Sequence, residues 1–85
     1  AVIGLTRQWA ARVGEHGVRV NSFSPGGVHN PAMPDAFAKR FGAMNMLGRV
    51  AKLGEYEATM VYLLSDASSF MTATNVVMDG GKTAW

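Results

Sequence analysis

The sequence predicts an α/β fold in which helices alternate with the strands of a parallel sheet. Two short β-favouring stretches, residues 18–23 and 74–78, are separated by about fifty residues with helical patterns. A connection of this kind is typical of parallel strands, because antiparallel neighbours need only a short turn. Each stretch also ends at a glycine-rich turn, at residues 25–27 and 79–81, as strands in such sheets often do.

The composition narrows the class of protein. Of the 85 residues, 48% are hydrophobic and 16% charged, which is too apolar for a disordered chain. The formal net charge is only +2 and the basic residues are scattered, which argues against a nucleic-acid partner. The absence of cysteine excludes disulfides and cysteine-based zinc sites. No apolar run approaches the ~20 residues of a membrane span, and no signal-peptide pattern begins the chain, so we expect a cytoplasmic protein.

Residues 1 to about 13 are predicted to form the first helix. Val2, Leu5, Trp9 and Val13 recur at helical spacing and make one apolar stripe, which we interpret as the core-facing side. Glycines at positions 14 and 17 are expected to end the helix.

The first strand is predicted at residues 18–23, on the basis of Val18, Val20 and Phe23. Asn21 is expected to tie the strand to a neighbouring loop, because a buried amide without partners is costly. The strand stops at Ser-Pro-Gly-Gly, which leaves backbone N–H groups exposed at its carboxyl end, where open α/β sheets bind ligands. Residues 24–34 are predicted to be loop, with His29 a solvated residue rather than a general base.

Two further helical segments are predicted. Residues 33 to about 46 carry an apolar stripe, as one helix or two short ones, and from the residues alone this stripe is expected to pack on the domain body. Glu55 to about Leu64 forms the last helix, with a broad apolar face. Residues 65–69 are turn-like, and residues 74–78 form a short buried strand followed by a tight turn.

Four motifs, in this order, resemble the second half of the short-chain dehydrogenases/reductases. They are Val-Ile-Gly-Leu-Thr-Arg at residues 2–7, Arg-Val-Asn at 19–21 with Pro-Gly at 25–26, Leu-Gly-Arg at 47–49 followed by Glu55 and Glu57, and Leu-Leu-Ser-Asp-Ala-Ser-Ser at 63–69 with Val-Met-Asp-Gly-Gly at 77–81. The resemblance implies the C-terminal part of a Rossmann-like doubly wound parallel sheet, incomplete on its own. Residues 1–85 are then one segment of a single NAD(P)-binding domain whose N-terminal half is absent here.

The resemblance also implies a function. The complete enzyme transfers a hydride between NAD or NADP and a small-molecule alcohol/carbonyl substrate. The residues implied in cofactor binding are Pro25, Gly26, Gly27, Val28 and Asn30, with the backbone at Val28 meeting the nicotinamide carboxamide and Asn30 in place of a usual Thr. The residues implied in a mobile substrate lid are Met33, Phe37, Phe41 and Met44. A side chain at Gly26, as in Gly26→Val, is expected to block the cofactor with modest effect on folding.

Parts of the family's machinery do not occur in this chain. No glycine-rich phosphate loop is present, and no Tyr-x-x-x-Lys: Tyr56 is followed four residues later by Met60, and Tyr62 by Asp66. No catalytic residue or metal site is therefore assigned. The implied partners are the missing half of the domain and a second or further copies in a homodimer or homotetramer. The resemblance also implies, as the alternative to a core-facing position, that Trp9 lies in an interface between subunits. The alternative function is a non-catalytic fragment or homologue acting in subunit assembly.

Overall fold

The computed structural model describes residues 1–85 and confirms the α/β class. Three α-helices and two strands follow one another along the chain: α1 (Val2–Val13), β1 (Ser22–Pro25), α2 (Asp35–Gly42), α3 (Glu57–Leu64) and β2 (Asn75–Met78). Short 3-10 helices occupy Gly14–His16, Leu53–Tyr56, Asp66–Ser68 and Lys82–Ala84. None of the helices has the length and apolar character needed to cross a membrane.

The chain divides into two compact units. Unit 1 comprises Ala1–Ser24 and Thr59–Val76, and therefore holds α1, most of α3 and the beginnings of both strands. Unit 2 comprises Pro25–Ala58 and Val77–Trp85, and holds α2 and the ends of both strands.

The two strands are hydrogen-bonded neighbours and run parallel, as predicted. The N–H of Ser22 donates to the carbonyl of Thr74 at 3.0 Å, and the N–H of Gly26 donates to the carbonyl of Met78 at 3.0 Å. From the first bond to the second, the residue numbers rise along both strands, which is the pattern of a parallel ladder.

The first strand begins later than the predicted residue 18. Before Ser22 the backbone bonds to turns and not to a strand: Val18 donates to Val13, and Val20 accepts from Ala73. The partner strand begins only at Asn75, so no regular ladder is available to residues 18–21. Apolar alternation in the sequence cannot reveal where a partner strand starts.

Helix α1 has its predicted extent, but its apolar stripe is not covered within this chain. Val2, Leu5 and Trp9 are exposed, whereas Thr6 and Ala10 are the buried residues of the helix. The interpretation of the stripe as the core-facing side is therefore wrong for these 85 residues. The reason is that the elements present here cover only a narrow strip of the helix.

Helices α2 and α3 are shorter than predicted. Pro34 lies at the N-cap of α2, and a residue before proline avoids helical geometry, so Met33 stays outside the helix. Gly42 ends α2 where its backbone passes close to that of Arg49; a Cβ on Gly42 would lie 2.7 Å from the Arg49 Cα. The helix predicted from Glu55 is divided into a 3-10 segment, Leu53–Tyr56, and then α3.

Few side chains are buried in this chain. The buried apolar residues are Ala10 and Tyr56, and the buried polar residues are Thr6, Ser22, Asn45 and Ser68. Strand β2, predicted to be buried, is half-buried and exposes Val77. Leu64 is 82% exposed and Phe70 is fully exposed. Most of the large apolar side chains are therefore not buried by the other elements of this chain.

Candidate functional site

The turn after β1 holds the residues predicted to bind a cofactor. Its first glycine is required by a close approach: a Cβ on Gly26 would lie 2.8 Å from the Cα of Asp79, at the end of β2. A side chain there displaces backbone, so the expectation that Gly26→Val would affect folding only modestly is wrong. Pro25, just before, is the exposed last residue of β1.

Val28 pairs with Ala51 in an isolated parallel bridge. The bonds of this bridge come from its neighbours: the N–H of His29 donates to the Ala51 carbonyl at 2.8 Å, and the Gly27 carbonyl accepts from the Ala51 N–H at 2.9 Å. Along an extended chain, the polar groups of successive residues point to opposite sides. The N–H and C=O of Val28 therefore point away from Ala51, and neither makes a hydrogen bond within the chain.

The predicted lid residues do not all lie in one helix. Phe37 and Phe41 are on α2 and their rings stack, with centroids 5.9 Å apart. The Phe41 ring lies directly against Gly27, where any Cβ would collide with it. Phe41 therefore contacts the turn, while Phe37 is half exposed beside it.

The methionines predicted for the lid flank α2. Met33 precedes the helix and is half-buried, and its N–H donates to the Asn30 carbonyl at 2.8 Å. Met44 follows the helix with its side chain exposed. The four residues predicted for a lid therefore lie on a short helix and on the irregular backbone at its two ends.

Asn30 and His29 differ in their contacts. The side-chain oxygen of Asn30 accepts the Ala32 N–H at 2.9 Å and is therefore held in a local turn, while the amide nitrogen can donate to a ligand. His29 is exposed and no carboxylate lies within ion-pair distance of it. The structure also contains no group of three or more His, Cys, Asp or Glu side chains that could hold a metal ion.

A small cavity of about 80 Å³ adjoins the turn in unit 2. Its lining includes Gly27, Asn45, Arg49, Asp79 and Gly80. Pockets for drug-sized ligands usually enclose about 300–1,000 Å³, so this cavity is too small for a dinucleotide. Within these 85 residues the turn can form one wall of a cofactor site and not a complete one.

The guanidinium of Arg49 forms a bidentate pair with the carboxylate of Glu55, with N–O distances of 2.6 and 3.0 Å. This hydrogen bonding, with a further bond from the Lys52 N–H, lowers the pKa of Glu55 to about 2. Both side chains remain substantially exposed. The pair links the loop after α2 to the 3-10 helix Leu53–Tyr56.

Asn45 was missed by the sequence analysis, although it is one of the few buried polar residues. Its side-chain nitrogen donates to the Arg49 carbonyl and its oxygen accepts the Gly48 N–H, both at 2.9 Å. The same side chain lies against Gly80, whose Cβ would come within 3.0 Å of it. An Asn three residues before a Gly is a turn signal that could have indicated this role.

We call residues 26, 27, 80 and 81 the glycine turns.

The predicted role of Asn21 is confirmed in unit 1. Its side-chain nitrogen donates to the Met71 carbonyl at 3.0 Å, and its oxygen accepts the Thr74 N–H at 3.1 Å. Arg19 adds a contact that the sequence did not reveal, since its guanidinium donates to the carbonyls of Met71, Leu63 and Ser65 at 3.0–3.2 Å. We call Arg19 and Asn21 the side-chain clamp.

The comparisons with known proteins agree with this geometry. The family model described as enoyl-(acyl carrier protein) reductase matches residues 1–83. The chain is 41% identical, over 99% of its length, to 2,5-dichloro-2,5-cyclohexadiene-1,4-diol dehydrogenase of Sphingobium indicum, of which it covers 36%. The chain therefore belongs to the short-chain dehydrogenase/reductase family.

Solved structures show the same fold. A short-chain type dehydrogenase/reductase from Mycobacterium marinum matches the whole chain with a TM-score of 0.88 and 35% identity, and the match covers 34% of that structure. A 4-hydroxyisoleucine dehydrogenase complexed with NADH and succinate matches it with a TM-score of 0.87 and 35% identity, with 36% of that structure covered. The chain thus spans about a third of the length of the relatives that it matches.

Proposed function

We propose that residues 1–85 contribute the nicotinamide-side turn, the substrate lid and an oligomer surface to an oxidoreductase. The whole enzyme would move a hydride between NAD(H) or NADP(H) and an alcohol/carbonyl substrate. Family membership supports this proposal, as does the similarity to a 4-hydroxyisoleucine dehydrogenase whose structure was solved with NADH. The observation that carries it is the free pair of backbone groups on Val28.

The chemistry of these groups fits the nicotinamide end of a dinucleotide. A carboxamide offers one acceptor oxygen and two donor hydrogens, and the N–H and C=O of Val28 offer the complementary donor and acceptor. Both point to the side opposite Ala51, so a planar amide can meet both at once. Gly26 and Gly27 keep the adjoining backbone free of side chains, and the amide nitrogen of Asn30 is a further donor nearby in the chain.

The residues of this chain bind and orient rather than move protons. When bound, the nicotinamide supplies the hydride chemistry. The backbone of Val28 would fix the ring's rotation through its carboxamide, and α2 would exclude water above it, since Phe41 lies against Gly27. Proton transfer belongs to residues outside this chain, in agreement with the absence of a Tyr-x-x-x-Lys motif.

The exposed apolar side chains support the remaining parts of the proposal. Two helices expose apolar side chains to water in these 85 residues. They are Val2, Leu5 and Trp9 on α1, and Val61 and Leu64 on α3. Burying them against the rest of a larger domain and against further copies in a homodimer or homotetramer would remove that cost. Subunit assembly without catalysis is the second candidate function, favoured by the same exposed faces.

The test compares Val28→Pro with Val28→Ala in the intact protein that carries these residues. Proline removes the N–H of residue 28 and leaves the bonds of Gly27 and His29 to Ala51 in place. We expect titration with NADH and NADPH, followed by nicotinamide fluorescence, to give a Kd about fivefold to thirtyfold higher for Val28→Pro than for the wild type for whichever dinucleotide binds. Val28→Ala keeps the N–H and should bind as the wild type does.

Two outcomes separate the candidates. Equal affinities of Val28→Pro and Val28→Ala, with both proteins folded, would refute the assignment of Val28. Failure of the wild type to bind either dinucleotide would refute the oxidoreductase proposal and leave assembly. Unfolding midpoints of all three proteins show whether a loss of binding is merely a loss of folding.

A further inference from the structure

The segment after β2 is folded into a compact turn of its own. The carboxylate of Asp79 accepts hydrogen bonds from the Gly81 N–H at 2.9 Å, the Thr83 N–H at 3.2 Å and the Thr83 hydroxyl at 2.7 Å. These bonds, chiefly that from the Thr83 hydroxyl, lower the pKa of Asp79. Gly80 and Gly81 have φ values of +66° and +88°, which favour glycine. The direction of the chain after residue 81 is thus fixed locally.

This segment contacts α2 and the residues that follow it at several points. The indole N–H of Trp85 donates to the Met44 carbonyl at 2.9 Å, and the Leu47 N–H donates to the Gly80 carbonyl at 3.1 Å. The ammonium of Lys82 lies 4.7 Å from the centre of the Phe41 ring. We call residues 79–85 the strap.

We call α2 and the residues that follow it, residues 35–47, the lid segment, and these contacts support its position. Helix α2 has only eight residues, and isolated helices of that length are marginal in water. No side chain caps its N-terminus. The strap bonds lie after the helix, where backbone groups no longer have intrahelical partners. Lys82 and Gly27 contact the same Phe41 ring, so the strap also affects how the lid meets the turn.

Trp85 connects the strap to the backbone after α2 through one hydrogen bond. Its side chain is 77% exposed, so its ring contributes little to a core, and its N–H makes a hydrogen bond to the lid. Loss of this one polar contact at the surface should therefore leave the rest of unit 2 folded.

We propose that the strap sets the position of the lid segment, with Trp85 and Lys82 as positioning residues for substrate entry. The functional part of this statement rests on the proposed oxidoreductase function. The mechanical part, that the strap restrains residues 35–47, stands on the contacts alone. The two can therefore fail separately.

The experiment measures local opening of α2 in the intact protein by limited trypsin digestion. Lys39 and Arg40 lie within α2 and are exposed, so cleavage after them, quantified by mass spectrometry, reports on opening of the helix. Trp85→Phe keeps a ring and removes the indole N–H. We expect this variant to be cleaved after Lys39 and Arg40 about threefold to tenfold faster than the wild type, the factor that corresponds to one lost hydrogen bond.

Lys82 provides a rescue test. Lys82→Met keeps the length of the side chain and removes its charge, and we expect cleavage in α2 about twofold to fivefold faster, as for the loss of an exposed cation–π contact. Lys82→Arg keeps a cation over the Phe41 ring and should restore the wild-type rate. A merely structural role for the aliphatic stem would leave Lys82→Met unchanged.

The matched control is Trp9→Phe, which alters the other tryptophan, an exposed residue of α1 in unit 1. It should leave cleavage after Lys39 and Arg40 unchanged. Wild-type cleavage rates in Trp85→Phe, or an equal rise at Arg12 and Arg40, would overturn the proposal. Binding of NADH or NADPH by wild type and Trp85→Phe is measured in parallel. If neither dinucleotide binds the wild type, the proposed function fails. The digestion still shows whether the strap restrains residues 35–47.

Discussion

The side-chain clamp and the glycine turns order the backbone in opposite ways. In unit 1, Arg19 and Asn21 extend side chains to carbonyls and an N–H around residues 63–74. In unit 2, glycines allow backbone and neighbouring groups to meet directly, as Gly26 does with Asp79 and Gly80 with Asn45. The first region is stabilised by hydrogen bonds from polar side chains. The second depends on close contacts that are possible only because glycine has no side chain. Loss of a donor should therefore damage the first, and gain of a single methyl the second.

The largest effect is expected for the clamp. Arg19→Ala removes the donor that serves three carbonyls, and a hydrogen bond from a charged group typically contributes about 1.5–3 kcal/mol. Because Arg19 is only half-buried, water can replace part of this, and we expect the free energy of unfolding to fall by about 3 kcal/mol. Urea denaturation of the intact protein measures it.

Arg12→Ala is the control for Arg19→Ala. Arg12 is an exposed arginine whose described contact is with the Trp9 ring, 5.7 Å from its centre. Its removal should cost no more than about 1 kcal/mol. Similar losses for the two variants would mean that the three carbonyl contacts of Arg19 contribute little.

A methyl group in the glycine turns should have the next largest effect. The Cβ of Gly26→Ala would lie 2.8 Å from backbone of Asp79, which cannot move aside as a flexible side chain does. We expect unfolding to become easier by about 1–3 kcal/mol. Gly54→Ala is the matched control in the same unit, because nothing lies within 4 Å of its Cβ position. A stability of Gly26→Ala equal to that of Gly54→Ala would contradict the close approach.

Ala73 combines features of both regions. It lies in unit 1 beside the clamp, but it has a φ of +58°, the only positive φ outside glycine in the chain. Left-handed geometry costs an alanine about 1–2 kcal/mol, and glycine loses more entropy on folding. We therefore expect Ala73→Gly to stabilise the protein by about 0.5–1 kcal/mol.

Ala43→Gly tests the sign of this effect. Ala43 has an ordinary φ of −63° at the end of α2, so glycine there should destabilise by about 0.5–1 kcal/mol. Thermal unfolding of both variants is sufficient. If both changes destabilise, the strain at Ala73 is relieved by its surroundings.

The smallest effect concerns charge. The pKa of Glu55 is about 2 when folded and near 4.5 when free, so the carboxylate stabilises the fold fully above pH 4.5. This contribution is lost as the pH falls from 4.5 towards 2. The difference in Tm between wild type and Glu55→Gln should be greatest near neutral pH and vanish near pH 2. A difference independent of pH would indicate that the shape of Glu55, and not its charge, matters.

Salt provides a further check on Glu55. Because the pair with Arg49 is exposed, its contribution is small and should weaken at high ionic strength. Neither the side-chain clamp nor the glycine turns should respond in this way, because Arg19 and Asn21 bond to neutral backbone groups and the close approaches at the glycines are steric.

Much of the fold could be predicted from local pattern. The helical spacing in residues 2–13 and the Pro-Gly-Gly and Asp-Gly-Gly turns are local signals, and the structure contains the corresponding elements. Asn21 was assigned correctly because a polar residue in an apolar strand needs a partner wherever the strand lies. The boundaries of β1 and α2 were less accurate, since they depend on where distant partners begin.

The sequence by itself determined the order of the elements, the family and the positions of the glycine turns. These follow from the preferences of each residue for its own backbone conformation. Only the tertiary structure decided that Val28 leaves its N–H and C=O free, that Phe41 lies against Gly27 and that Trp85 bonds to the Met44 carbonyl. Each joins residues at least fourteen positions apart or depends on such a pairing, as the Val28 bridge to Ala51 does. Contacts of this kind form only when separate elements pack, so no local pattern encodes them.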